Sequence, residues 1–599
     1  MRVVLFALVV SCSACGSATP TTPDAGSADS GADARAPCDT MFVAPTGADG
    51  ATGCEPARAK RTIGAALLAA QGSAKIAHVK VCKGNYGESV SFAVQRTLTL
   101  EGGFACDTFE RTAKYGYPTF DGVNETVVQS DGSAFTATGA VPSTVVVDGF
   151  TFRGSDLDNS PAVKIEDGPA LVLSNDRIVG GKGTGYGVGS TGVDVRRAPI
   201  ELVHDDIDGG AGTTDTFHLI GSMGVFAEGP VRIHDDRIAG GSGVLGGDEK
   251  QSLPIASVAM RLYGDDYVGP AAIARNVIDA GAGTTKGTTP VQVAGIQVWR
   301  KSDNSEKRSV EIVDNVIRGR SGDCTGPCGS SAVDVSWYEN AVIARNRIHG
   351  GDTGHLYANA GAILVYVVAN ASIVDNLIHA GGRSPLETNA AVAVSMAYGG
   401  FTRIAHNSIV APASKSGVIA FAPTSAPQTF SVENNLILST GSGTLFSGPR
   451  CNGLDVVRNN AFAGFATLFT GRGVLQACSA TIPSTTVTEL ETNLATDGAT
   501  ASGNLELHAS CATASCVAVP ACAPNDAHCA EGVFAGFGAS DLGVSALFGG
   551  GWPLASSPSC KLSKGGMDLT ASVPADFVGK LRTVPVSLGA YEEDGACQP

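Results

Sequence analysis

Two places in the sequence set paired carboxylates behind a histidine, His204-Asp205-Asp206 and His234-Asp235-Asp236. A third, Gly264-Asp265-Asp266, sets a pair behind a glycine. Adjacent acids suit general acid and base work, or a Ca²⁺ ion held by oxygen ligands. Arg261, Trp299, Arg300 and Tyr366 offer a different chemistry. Each aromatic ring supplies a flat apolar face with a polar handle, and a neighbouring guanidinium adds donors, which together can make a sugar-binding strip. Which set matters depends on the elements that place it.

Those elements repeat. Ser309-Val310-Glu311-Ile312-Val313-Asp314-Asn315-Val316-Ile317 alternates apolar and polar residues and then sets an Asn two places before an Ile; Ala341 to Ile348 and Ala371 to Ile378 do the same. The residue two before the Ile or Phe is Asp176, Asp205, Asp236, Asn276, Asn315, Asn346, Asn376, Asn407, Asn435 and Asn460, with intervals from 25 residues (Asn435 to Asn460) to 40 (Asp236 to Asn276). Both His-Asp-Asp pairs fall in this slot. Asn and Asp side chains bond backbone at sharp bends, and stacked Asn can bond the next coil, so the slot needs no catalytic explanation.

A second strand precedes each anchor, as in Gly192-Val193-Asp194-Val195-Arg196, Gly295-Ile296-Gln297-Val298-Trp299 and Ala362-Ile363-Leu364-Val365-Tyr366. Alternation turns Val193 and Val195, or Ile296 and Val298, to one side. Three places after the first inward residue stand Arg196, Glu228, Arg261, Trp299, Ser336, Tyr366, Ser395 and Phe421, with Arg300 and Lys301 beside Trp299. Stacked at about 4.8 Å per coil, these form an outward column. Inserts follow the anchor Ile and open on Gly180-Gly181, Gly209-Gly210, Gly240-Gly241 and Ala280-Gly281, which predicts a wall of loops along one side of the coil. Loops on a rigid scaffold are common binding elements.

The period lacks leucine-rich spacing and the regular hairpins of a propeller, and fits a coil of two or three short strands per turn. With 77 Gly, 6% aromatic residues and a net charge of −16, the 599-residue chain suits many tight turns. It offers no basic stripe for nucleic acid, so no such partner is expected. No cofactor or metal centre is expected, although Ca²⁺ is compatible with the many carboxylates.

Met1-Arg2, the apolar run Val3 to Val10 and Ser11-Cys12-Ser13-Ala14-Cys15 read as a secretory signal too short to span a bilayer. Its end resembles a bacterial lipobox, with Cys12 the better sequence match. Of 16 Cys, 14 lie beyond residue 15, an even number that disulfides use completely if Cys15 is the lipidated residue. The site stays open between Cys12 and Cys15. Residues 16–37 are small, polar and Pro-containing and read as a flexible tether. The membrane is expected to be met only through the lipid, and the location to be extracytoplasmic, on the outer membrane or cell surface.

The folded part opens with Val43-Ala44-Pro45-Thr46-Gly47. A helix follows from Thr62 to Ala70 with Ile63, Ala66, Leu67 and Ala70 on one face, then Gly84-Asn85-Tyr86 and Leu100-Glu101-Gly102-Gly103-Phe104. This order resembles the amino-terminal segment of secreted bacterial right-handed parallel β-helix proteins of the DUF1565 type. Ser557-Pro558-Ser559-Cys560, Asp576 to Arg582 and Leu588-Gly589-Ala590-Tyr591-Glu592 resemble the carboxy-terminal signature of bacterial β-helix proteins of the choice-of-anchor Q type, with Ser559 intruding and Leu588 in place of Ile. The resemblance implies an all-β, right-handed parallel β-helix of the pectin-lyase-like class, with an amino-terminal cap helix and a disulfide-rich carboxy-terminal cap. The expected segments are signal 1–15, tether 16–37, cap and first coils 38–120, repeats 121–480 and Cys-rich cap 481–599.

Such folds include polysaccharide lyases and hydrolases. Gly264-Asp265-Asp266 resembles one polygalacturonase motif, but the companion Asn-Thr-Asp, Gly-His-Gly and Arg-Ile-Lys motifs are absent, and fold does not carry function across. The expectation is therefore a lipid-anchored envelope protein that binds polysaccharide or another surface partner without chemistry of its own. A lyase or hydrolase of uronate-rich glycans is the alternative, and a purely structural surface protein the third reading. The expected ligand residues are Arg261, Trp299, Arg300 and Tyr366; Asp265 and Asp266 are the catalytic candidates.

Overall fold

The chain divides into Met1–Pro37 and a body from Cys38 onward. The computed structural model describes the body between residues 38 and 590 with breaks. Those that bear on function are 246–253, 264–270, 286–290, 300–308, 321–327, 352–359, 382–389, 472–482 and most of 512–559. No described helix is long and apolar enough to cross a membrane.

Each turn of the coil carries three short strands, and each strand pairs in parallel with its counterpart one repeat later. The first face is a 15-stranded sheet running from Thr40–Val43 to Thr500–Ser502. Its register stacks Leu171, Ile200, Val231, Ala271 and Val310. These residues are almost fully buried and form the core with Leu173, Leu202, Ile233, Ile273 and Ile312, as strict alternation requires. The expected parallel β-helix is therefore present, and the whole fold is all-β with few helices.

The repeated phrase makes the corner after this face. The left-handed conformation falls on the residue before each anchor: Asn or Asp in most coils, such as Asn175 at φ 54° and Asp235 at 65°, but His204 at 60°, Arg275 at 56°, Arg345 at 53° and His406 at 55° in others. Asn and Asp tolerate that conformation better than other side-chain-bearing residues. The anchor itself turns inward and is almost wholly buried. Asn276, Asn315, Asn346, Asn376, Asn407, Asn435 and Asn460 each donate from Nδ2 to Oδ1 of the next anchor at 2.9–3.1 Å. The same Nδ2 groups donate to a first-face carbonyl of the preceding coil, Ile233 O for Asn276 and Ile273 O for Asn315. Asn504 extends the ladder by one rung, and its Nδ2 donates to Glu491 of a closing helix.

Immediately after each anchor, an Ile column runs through Ile178, Ile207, Ile238, Ile278, Ile317, Ile348 and Ile378. The roots of the expected loop wall follow. Thr213–Thr214, Val244–Leu245 and Thr284–Thr285 stack as a parallel ribbon. The hydroxyls of Ser190, Ser222 and Ser257 each donate to a carbonyl of the adjoining turn and accept from the N–H of Gly212, Gly243 or Gly283. Gly241 and Gly281 sit at φ 82° and 88°, where a Cβ would fall 2.1 Å from the carbonyl oxygen of the previous coil's glycine. Only glycine lets these turns stack.

Helix α1 (Ile63–Gln71) buries Ile63, Ala66, Leu67 and Ala70, the four residues expected on its inner face, in one cluster with Val43, Val79 and Val90. Helix α2 (Val487–Thr496) starts on a capping box between Thr486 and Glu489 and buries Val487, Leu490 and Leu494 in the same core. Disulfides join Cys38 to Cys54, Cys82 to Cys106 and Cys511 to Cys516. The described residues between 560 and 590 pack along the outside of the coil. Leu562, Leu588 and Ala590 pack on Leu377, Val410, Leu436 and Leu438. The Arg582 guanidinium, fully buried, pairs with Asp375, and Met567 and Asn434 exchange two hydrogen bonds. Leu377, Val410, Leu436 and Leu438 of the second ladder are thereby withdrawn from water.

Candidate functional site

The third strand of each coil carries the candidate site. Val193, Val225, Met260, Ile296, Val333, Ile363 and Val392 stack inward in register. Alternation then puts two columns on the outer side. One is Asp194, Phe226, Arg261, Gln297, Asp334 and Leu364; the other includes Arg196, Glu228, Tyr263, Trp299, Ser336 and Tyr366.

This corrects the sequence alignment at two places. Arg261 is not in the Trp299 column; Tyr263 is. The strand Ile255–Tyr263 has both Val258 and Met260 buried, so apolar pattern alone leaves its register open. Met260 faces the core, while Val258 joins a separate apolar cluster with Met223 and Ala294. Phe421 also leaves the column: Val392 pairs with Ile419, and Phe421 pairs with Val394 and stacks on Phe446. Tyr263 was legible in the Leu262-Tyr263 match to Val298-Trp299, had the strands been aligned from their carboxy ends.

Trp299 and Tyr366 are 40% and 41% exposed, high values for large aromatic residues. Each is braced by a second ring: Tyr263 lies 5.7 Å from Trp299 and Trp337 lies 5.9 Å from Tyr366, centroid to centroid. Arg261 stacks over Tyr263 at 5.0 Å, so the structure does bring Arg261, Trp299 and Tyr366 to one surface, with Tyr263 and Trp337 as additions. Arg300 lies outside the described residues, as do Asp265, Asp266 and both candidate lipidation sites, Cys12 and Cys15.

Beneath the rings runs a polar row. Asp334 is buried, and loss of water pushes its carboxyl above the usual carboxylate range, against the pull of hydrogen bonds from Ser336, Gln297 and Gln292 and of the Arg261 charge. Burial also lowers the affinity of Arg261 for its proton. Arg261 Nε and Gln297 Oε1 are buried with no hydrogen-bond partner. An unmet polar atom costs roughly 1–3 kcal/mol, so this row is a strained part of the face. Arg196 is held in a two-toothed contact with Asp194, at 3.0 Å on each arm, and stacks over Phe226.

Among the described carboxylates of this face, Glu166 and Glu228 flank Arg196 beside Asp194. Asp194 and Asp334 stand four rungs apart in one column, about 19 Å at 4.8 Å per rung. Paired acids in glycoside hydrolysis stand about 5–9.5 Å apart. The His-Asp-Asp motifs also fail to converge. Asp205 and Asp236 turn into the ladder, whereas Asp206 pairs with Arg237 and Asp235 with Arg275 on the outside.

A second concavity lies on a different face. A cleft of about 400 Å³ is lined by Val179, Asp208, Ala239 and Asp279 on one wall and by Lys182, Ala211 and Ser242 on the other, above the stacked glycines. It contains none of the aromatic column. Trp299 stands at the far end of the strand Val291–Trp299 from its junction with the insert, about 26 Å at 3.3 Å per residue. Loop roots and aromatic strip therefore do not border one groove among the described residues. The wall of the cleft continues through Arg318 to His349 and His379. Those two rings stack at 4.7 Å, each accepting a glycine N–H on Nδ1, and burial lowers His379 to about 4. No group of three or more His, Cys, Asp or Glu able to hold a metal occurs among the described residues.

No family model matches the chain, and no curated protein matches it. Among solved structures, the tailspike gp61 of Pseudomonas phage phi297 is similar at 10% identity and a TM-score of 0.32, over 68% of this chain and 73% of that one. A likeness of that order carries no argument about function, and the fold rests on the strand pairing described above.

Proposed function

We propose that this protein is a surface β-helix that binds polysaccharide through the outer face of its third strands and performs no chemistry on it. The observation that carries the reading is the pair of exposed rings, Trp299 and Tyr366, each braced by another aromatic residue on a rigid ladder. Rings held in this way offer apolar area to a sugar face at little entropic cost. The signal-like amino terminus and the polar tether support delivery through a lipid on Cys12 or Cys15 to the bacterial envelope, with the membrane met only there.

The test is binding of purified protein to a panel of polysaccharides, with Trp299→Ala and Tyr366→Ala alongside. Binding lost in both variants, with unchanged melting, is the expected result. New reducing or unsaturated ends in the glycan, with or without added Ca²⁺, would replace the binder by an enzyme. Absence of binding to any glycan would leave a structural role.

A further inference from the structure

We infer that the ligand is a neutral glycan in an extended, ribbon-like conformation, lying parallel to the coil axis with one sugar on Trp299, the next over Ser336 and the third on Tyr366. This rests on the polysaccharide-binding reading above and narrows it to a substrate class.

The spacing comes from the register. Trp299 pairs with Ser336 and Ser336 with Tyr366, so the two exposed rings stand two rungs apart in one straight column. Two rungs are about 9.6 Å. That is close to the advance of two pyranose rings in an extended β-1,4-linked chain, in which alternate sugars return to equivalent orientations. A chain that coils, as α-1,4-linked glucan does, turns successive ring faces away from a straight row. The residue between the rings is small: Ser336 is nearly buried, with its hydroxyl given to Asp334, so the middle sugar meets a low floor and the two ends meet aromatic walls.

Charge decides the second half of the assignment. An acidic glycan needs cations with donors to spare. Among the described residues of this face, Arg196 is committed to Asp194 on both arms. Arg261 stacks on Tyr263 and interacts electrostatically with the buried Asp334. The described cations of this face are thus engaged, with Glu166 and Glu228 adding negative charge beside Arg196, in a protein whose net charge of −16 repels polyanions. Both braces act in the same direction: Tyr263 and Trp337 hold the exposed rings in place before the glycan arrives.

The test is calorimetric titration of the full mature chain with defined oligomers of two to six sugars: β-1,4-linked glucose, mannose and N-acetylglucosamine series, malto-oligomers and oligogalacturonates. Expected is a step of at least about tenfold in affinity between the disaccharide and the tri- or tetrasaccharide of one neutral β-1,4 series, levelling off thereafter, because only three sugars or more can engage both rings. Trp299→Ala or Tyr366→Ala alone should remove the step and leave disaccharide-like affinity, whereas Tyr366→Phe should keep it. Equal affinity for malto-oligomers, preference for galacturonates, or the absence of a length step each overturns the inference while leaving polysaccharide binding intact. Failure to bind any oligomer or polymer instead removes the reading on which it rests.

Discussion

Replacing Asp236 by Asn should stabilise the coil, and the gain should grow with pH. Asp176, Asp205 and Asp236 occupy the first rungs of a ladder whose later rungs are Asn. Each accepts a backbone N–H on Oδ1, from Phe150, Asp176 and Asp205 respectively. Asp236 Oδ2 is buried without a hydrogen-bond partner. The Asn rungs show what an amide does there: Nδ2 donates once to the next rung and once to a first-face carbonyl of the preceding coil, which for position 236 is Leu202. Protonated Asp236 has one O–H to donate and the amide has two N–H, so the substitution adds one hydrogen bond, worth about 1 kcal/mol, at low pH. Burial, and then the neighbouring Asp205, push the Asp236 carboxyl well above its ordinary range, so the folded state holds it protonated. Between the unfolded carboxylate pKa and this raised folded value, the folded state binds more protons, and stability declines as pH rises. Asn does not titrate, so the advantage of Asp236→Asn should widen from pH 4 towards pH 8. The assay is urea unfolding with hydrogen exchange read on peptides covering residues 200–240, because a solenoid can open locally. A variant that is less stable, or whose advantage is the same at pH 4 and pH 8, would refute the account of the Asp rungs.

Gly241→Ala should prevent the insert roots from stacking, since its Cβ would lie 2.1 Å from Gly210 O; a drop in soluble yield or a melting temperature lowered by several degrees checks this. Arg582→Met should leave Asp375 buried without its partner, at a cost of about 3–5 kcal/mol local to the carboxy-terminal segment, and make residues 560–590 the first site of proteolysis. His379 is neutral in the fold at about 4 and ordinary when unfolded, so stability should fall as pH drops from about 6.5 towards 4, by at most roughly 3 kcal/mol; His379→Gln should flatten that limb in denaturant titrations.

Much of this was legible in the residues. The Asn-x-Ile phrase fixed the corner and the core column, because a period-two pattern with one face buried admits one register. The inner face of α1 was equally readable from Ile63, Ala66, Leu67 and Ala70. The site was half legible: Trp299 and Tyr366 stand out as large rings at strand ends. Arg261 was misplaced because Val258 and Met260 are equally apolar, and only pairing with Phe226 and Gln297 decides which faces the core. Gln297 and Asp334 were invisible as a unit, since they lie 37 residues apart and meet only through stacking. The side cover was hidden for the same reason: Arg582 meets Asp375 across 207 residues.

The amide ladder also has a direction. Every rung from Asn276 to Asn460 points its N–H towards the carboxy-terminal end, so the side-chain dipoles add along the axis and polarise one another as backbone dipoles do in a helix. Its positive end arrives at Asn504, and there the Glu491 carboxylate of α2 accepts both the backbone and the side-chain N–H. Its negative end lies at the three aspartic acids, where an added anion would be least welcome, in keeping with carboxyls that stay protonated. The aligned amides of the ladder thus run from the aspartic acids to Glu491, which closes the last rung.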